Sequence, residues 1–339
     1  MLDRCQVTFA EVSASISPLL LVVVDTEEEF DWRLPVSRSN TAVGSISEQH
    51  LAQDVFATYG VVPMYVVDYP IATDENSVRA LGAFLAEGRC EIGAHLHPWV
   101  NPPHEETVNA FNSYPGNLPS DLERSKLERL TQAIEENFGI RPTVYKAGRY
   151  GLGPATAGHL EQLGYEVDLS VVPYTRFDAD GGPDFRAFDF RPYWFGERRR
   201  LLDVPLSCGF AGVLARRGPA LYPTLVSPFG MRWHAPGLAA RLGLLERIRL
   251  TPEGIDHAAH RRLTRSLLKQ GCRIFSLTYH SPSLQPGCTP YVRNRDELTR
   301  FLETIDRYLD FFFNELGGQS ITPAALYRLL CGPAVAPQP

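Results

Sequence analysis

The chain has 339 residues, of which 44% are hydrophobic, 21% charged and 11% aromatic. That is the composition of a folded protein, not of a low-complexity chain or a membrane bundle, and the length suits two domains or one α/β barrel with insertions. Lys+Arg 33 against Asp+Glu 39 gives a formal net charge of -6. No electrostatic footprint for a phosphate polymer is present, so nucleic acid is not an expected partner. The six cysteines, Cys5, Cys90, Cys208, Cys272, Cys288 and Cys331, show no C-x-x-C spacing and read as reduced thiols.

In chain order, residues 1–17 read as an N-terminal extension. The run Leu19 to Val24 is continuous in Leu and Val, as a strand buried on both faces requires, and it ends in acids. A signal peptide or membrane span would not end so, which leads to an expected cytoplasmic location. Further strands are expected over 61–67, 91–96, 143–147, 165–169, 201–206 and 273–279, making seven. Helices are expected between them: Ser45-Ile-Ser-Glu48 has the capping-box pattern, and others run over 77–87, 121–139, 154–163, 257–270 and 296–316. Segments 173–200 and 209–233, rich in Gly, Pro, Arg and aromatics, read as long loop insertions. Residues 332–339 are Pro-rich and read as a disordered tail. Strands alternating with helices and no linker predict one α/β domain over 18–331 with a mostly parallel sheet.

What ends the strands carries the chemistry. Val24 runs into Asp25, Val67 into Asp68, Ala94 into His95, Tyr145 into Lys146, Val167 into Asp168 and Tyr279 into His280. The carboxyl ends of parallel strands face the active site in α/β barrels, so these groups are candidates for one cluster. Asp25 and Glu27, two apart after a buried strand, point to one rim. Two close carboxylates repel, and a divalent cation relieves them; Glu28 has a weaker claim to the same role. His95 and His97 are likewise i and i+2, so both imidazoles can approach one ion. One carboxylate and two imidazoles leave coordination positions free for water and substrate, as a catalytic zinc or similar first-row metal needs.

His280 at a strand end is a candidate proton donor. Lys146 and Arg149, flanking a glycine turn, are candidates to hold Asp25 or an anionic substrate group, with a plain salt bridge as the alternative. Trp32, Trp99, Trp194 and Trp233 all fall in expected loops, and Trp32, Trp99 and Tyr150 offer flat faces suited to sugar rings. His159, His257 and His260 read as surface residues on helices.

Together these segments resemble the polysaccharide deacetylase family, the NodB-homology or carbohydrate esterase family 4 group, over about Leu19 to Leu316. The matching motifs are VVVDTEEEFDW, Glu91-Ile-Gly-Ala-His95, Lys146 to Gly151, Asp168 and Leu277-Thr-Tyr-His280, in the family's order. HLHPW, AGRYG and HSPSLQPGCTPYV look most like the WalW-type subgroup. The resemblance implies a deformed (β/α)7 barrel and a metal-dependent deacetylase acting on an acetylated sugar or polysaccharide. It implies Asp25 as base, His280 as acid, Lys146, Arg149 and Asp168 in the catalytic set, and Glu27, His95 and His97 on a divalent metal, zinc first.

Two positions depart from the family pattern. Trp99 stands where its second histidine falls, which makes His97 the second ligand or places that ligand elsewhere. Lys146 replaces the usual arginine. Two other readings stay open: an amidohydrolase-type metal hydrolase acting on another C-N bond, and a catalytically inactive carbohydrate-binding barrel.

Overall fold

The structure is a computed structural model that describes residues 7–198 and 200–331. The tail expected over 332–339 lies outside the described residues. The strands are β1 (Thr8–Phe9), β2 (Leu19–Thr26), β3 (Met64–Val67), β4 (Glu91–Leu96), β5 (Val144–Ala147), β6 (Val167–Asp168), β7 (Tyr193–Phe195), β8 (Leu201–Asp203), β9 (Cys208–Ala211), β10 (Glu246–Arg249), β11 (Ile274–His280) and β12 (Gln319–Ser320). The seven expected strands are all present, and they pair in parallel in the order β8-β6-β5-β4-β3-β2-β11. They curl into a deformed (β/α)7 barrel. Its outermost parallel strands are tied where Ser207, just past β8, and Ser276 of β11 each donate a backbone N–H to the other's hydroxyl, at 2.9 Å both ways. β7 and β1 extend the β8 edge antiparallel, so part of the N-terminal extension is an edge strand of the same sheet.

Alternation along β2 sets the layers. Leu20, Val22 and Val24 pack outward among the helices, with Tyr65, Leu96 and Tyr279. Leu19, Leu21 and Val23 pack on the inner face with Val66, Val144, Val167, Leu202 and Ile274. Both faces are buried, each such side chain contributing about 1.5–3 kcal/mol, so the strand has no solvent side and its register is strongly fixed. The next inner position after Val23 is Asp25. Gly93 on β4 is required by closeness: a Cβ there would lie 2.8 Å from the Val144 carbonyl oxygen on β5.

Several sequence expectations need correction. Ser45 makes no capping hydrogen bond. Its hydroxyl is buried, its N–H donates to Glu29, and a 3-10 turn (Gly44–Glu48) precedes the helix Gln49–Thr58. Segment 209–233 is not a loop: it carries β9 and two short helices, Gly218–Leu225 and Pro228–Arg232. Gly218, Pro219 and Pro228 sit at the helix starts, where proline is tolerated. Segment 173–200 contains β7, which places Trp194 on a strand. His159 and His260 are buried, the latter bonded to the Thr251 carbonyl at 2.8 Å, so helix position alone did not put them at the surface. The last long helix ends at Asp310 and continues as a π-turn, Phe311–Glu315. Among the described residues no helix is long and apolar enough to cross a membrane.

Candidate active site

The alternation that fills the barrel also loads its carboxyl-terminal rim. Inner-face positions continue from Val23 to Asp25, from Gly93 to His95, from Val144 to Lys146 and from Thr278 to His280. The sheet register sets Asp25 beside His280 and His95 beside Lys146. Glu27 and His97, two residues further along their chains, return to the same side. All six of these groups lie in one neighbourhood.

Glu27 Oε2 is 3.4 Å from His95 Nε2 and 3.5 Å from His97 Nε2. Charge-assisted hydrogen bonds are shorter, about 2.7–2.9 Å. Donors bound at about 2.0–2.1 Å around one tetrahedral ion stand about 3.3–3.4 Å apart, close to the spacing seen here. The ring tautomers agree with that use. His95 Nδ1 is 2.9 Å from the Lys146 carbonyl and His97 Nδ1 is 2.7 Å from Glu28 Oε2, so each Nδ1–H has an acceptor and each Nε2 turns a lone pair toward Glu27. Among the described residues Glu27, His95 and His97 form a buried group able to hold a metal ion.

Glu28, Asp68 and His97 form a second such group, but its oxygens are already engaged. Glu28 accepts from Trp99 Nε1 at 2.6 Å as well as from His97, and Asp68 accepts from the Ile71 and Glu28 backbone N–H groups at 2.9 and 2.8 Å. Burial pushes Glu28 up to about 7 and Asp68 well above the usual carboxylate range. This group supports His97 from behind.

Asp25 and Lys146 make a buried pair, Nζ lying 2.5 and 2.6 Å from the two carboxylate oxygens. Burial opposes the charge on Asp25, yet Lys146, His95 and His280 outweigh it and hold the carboxyl below its ordinary value. His280 points Nε2 at Asp25, 3.6 Å away, and its Nδ1 lies 2.8 Å from Glu253 Oε2. Burial disfavours the imidazolium, but Glu253, Glu27 and Asp25 overcome this and raise His280 well above the ordinary histidine range. Glu253 also accepts from the Ser283 hydroxyl at 2.6 Å, which fixes the carboxylate that orients the ring.

No protein-family model matches the chain, and no curated protein is similar to it in sequence. Solved structures are similar in shape. A structure described as a "putative polysaccharide deacetylase" from Mycobacterium smegmatis superposes with a TM-score of 0.52 at 16% identity, covering 98% of each chain. The peptidoglycan deacetylase PdaC of Bacillus subtilis gives 0.42 at 10% identity, covering 93% of this chain and 92% of its own. A CE4 family pseudoenzyme from Bacillus anthracis gives 0.43 at 8%, covering 92% and 66%. The first of these matches end to end. The fold is that of the polysaccharide deacetylases.

On that deacetylase fold the remaining expected site residues fall in different places. Asp168 is not at the rim. Its neighbours Val167 and Leu169 take the inner face, so its carboxylate turns outward, accepts from the Ser170 hydroxyl at 2.6 Å and pairs with Asp203, burial raising both. Arg149 does not reach Asp25; it pairs with Asp180 at 2.5 Å and lies over the Tyr114 ring on the cavity wall. Tyr150 stacks on Phe177, with ring centroids 5.2 Å apart. Trp32 sets its ring edge-on against His280 at 4.7 Å. Trp99 is buried, stacked on His97 at 4.3 Å, and spends its N–H on Glu28, so it braces the histidine where a free sugar platform was expected. Sequence reasoning missed Glu253. The alternating pattern of residues 246–250 was the available signal for the short strand β10 just before it.

Proposed function

We propose that this chain is a metal-dependent hydrolase that removes acetyl groups, N-acetyl foremost, from a sugar or polysaccharide. The observation that carries this reading is convergence: the Glu27–His95–His97 group, Asp25 with Lys146 buried behind it, and the His280–Glu253 pair come to one cavity of about 790 Å³, a volume suited to a ligand of this size. Glu27, His95 and His97 would hold a divalent cation, zinc first by donor type. When bound there, such an ion supplies Lewis acidity toward the acetyl carbonyl and a nucleophile active near neutral pH.

The chain's own groups divide the proton work. Asp25 is placed to take the proton of the attacking water, and Lys146 keeps it ionised between turnovers. His280, its Nδ1–H committed to Glu253, is placed to deliver a proton from Nε2 to the departing amine. Trp32 fixes the other side of that ring, and with Tyr150 it lines the cavity with flat surface for a sugar.

The deciding experiment measures acetate released from N-acetylated sugars and glycans together with metal content. Stoichiometric divalent metal, lost on His95→Ala along with acetate release, is the expected result; an intact protein that frees no acetate from any of them refutes the reading. Glu28→Gln is expected to weaken the metal by about 10–100-fold in a competitive chelator titration, since the acceptor behind His97 is altered. Glu253→Gln is expected to move only the alkaline limb of the pH–rate profile. His280 acts protonated, so activity is lost as pH rises through its pKa. Removing the charge that raises that pKa shifts the limb to lower pH.

A further inference from the structure

The charges lining the cavity do not balance. Four carboxylates face it, and each has a cation or imidazole partner: Asp25 with Lys146, Glu27 with His95 and His97, Asp180 with Arg149, Glu253 with His280. Two guanidinium groups on the same wall have no carboxylate partner among the described residues. On β10, Ile248 turns into the core and Glu246 pairs with Arg262 at 2.8 Å, so Arg247 and Arg249, two apart, share the opposite, cavity-lining side. Arg247 is held only by neutral oxygens, the Pro173 carbonyl at 3.3 Å and the Thr175 hydroxyl, and its Nε is buried with no partner. Arg249, partly buried, makes no side-chain hydrogen bond or ion pair with any described residue.

A guanidinium withdrawn from water without a counter-charge is costly, and its planar fork of donors matches a carboxylate or phosphate. A divalent cation at Glu27, His95 and His97 would make the cavity more positive still. We propose that Arg247 and Arg249 form an anion subsite, so that the substrate carries a carboxylate or phosphate group on the sugar residue being processed or on its neighbour. The sugar part of this statement rests on the deacetylase reading; the anion subsite does not.

The test is calorimetric titration of the full chain with inorganic phosphate, with glucuronate and, as neutral control, with glucose. At least one of the two anions is expected to bind, to weaken by about 10–100-fold in Arg249→Gln and to recover in part in Arg249→Lys, with glucose unaffected by either change. The anion that binds tighter distinguishes a phosphate from a carboxylate substrate. Arg249 has no side-chain hydrogen bond or ion pair among the described residues to lose, so an unchanged melting temperature is expected and separates lost binding from misfolding. The proposal is overturned if neither anion binds, or if binding survives Arg249→Gln undiminished, which would seat the anion elsewhere. Acetate release is measured separately. Its absence would remove the deacetylase reading while the calorimetry still decides the subsite.

Discussion

Asp25→Asn is expected to lower kcat for acetate release by about 10²–10⁴-fold while metal affinity stays nearly unchanged. The amide keeps the shape of the carboxylate but cannot take a proton, and Asp25 is not one of the three candidate metal ligands, Glu27, His95 and His97. A metal ligand replaced in the same way would lose both properties, so the split between acetate release and chelator competition identifies the base. The substitution also leaves Lys146, fully buried, facing a neutral group. Burial then favours its deprotonation, and some loss of thermal stability accompanies the kinetic loss. A variant that keeps more than a tenth of wild-type turnover would place the base elsewhere.

Much of this site was legible because β2 and β4 obey one simple constraint. Leu19 to Val24 is apolar at every position, so the strand had to be buried on both faces, and a parallel sheet follows. The period of two then puts Asp25 with Glu27, and His95 with His97, on common sides. The same rule misled at Asp168. The run Tyr165 to Leu169 does not reveal which alternate residues face inward, and Val167 and Leu169 take the inner face. Glu28 shows the complementary limit: its neighbour Glu27 meets the imidazole Nε2 atoms, while Glu28 reaches the far nitrogen of His97, a distinction of ring orientation that only packing around Trp99 sets. Glu253 was hidden for another reason. It reaches His280 from a loop after β10, a strand with three charged residues in four, where only Ile248 and Leu250 carry the alternation. That strand's surplus arginines carry the anion subsite.

Lys146→Met is expected to destabilise the fold by about 3–5 kcal/mol, because it removes one partner of a buried ion pair and leaves the other charged. For 339 residues that corresponds to a melting temperature about 4–7 °C lower. Asp25 would then be buried with only the imidazoles of His95 and His280, the latter at 3.6 Å, to oppose the desolvation of its charge. Its pKa therefore rises. The reaction needs Asp25 ionised, so activity appears only as pH climbs through that raised value, and the acid limb of the pH–rate profile moves upward. Adding Asp25→Asn to Lys146→Met removes the stranded charge, and the double variant is expected to regain most of the lost melting temperature while remaining inactive. Recovery of stability without recovery of rate separates the two roles of this pair: Lys146 keeps Asp25 ionised inside the barrel, and Asp25 does the chemistry. If the double variant melts no higher than Lys146→Met alone, the charge pair with Asp25 is not what Lys146 contributes to the fold.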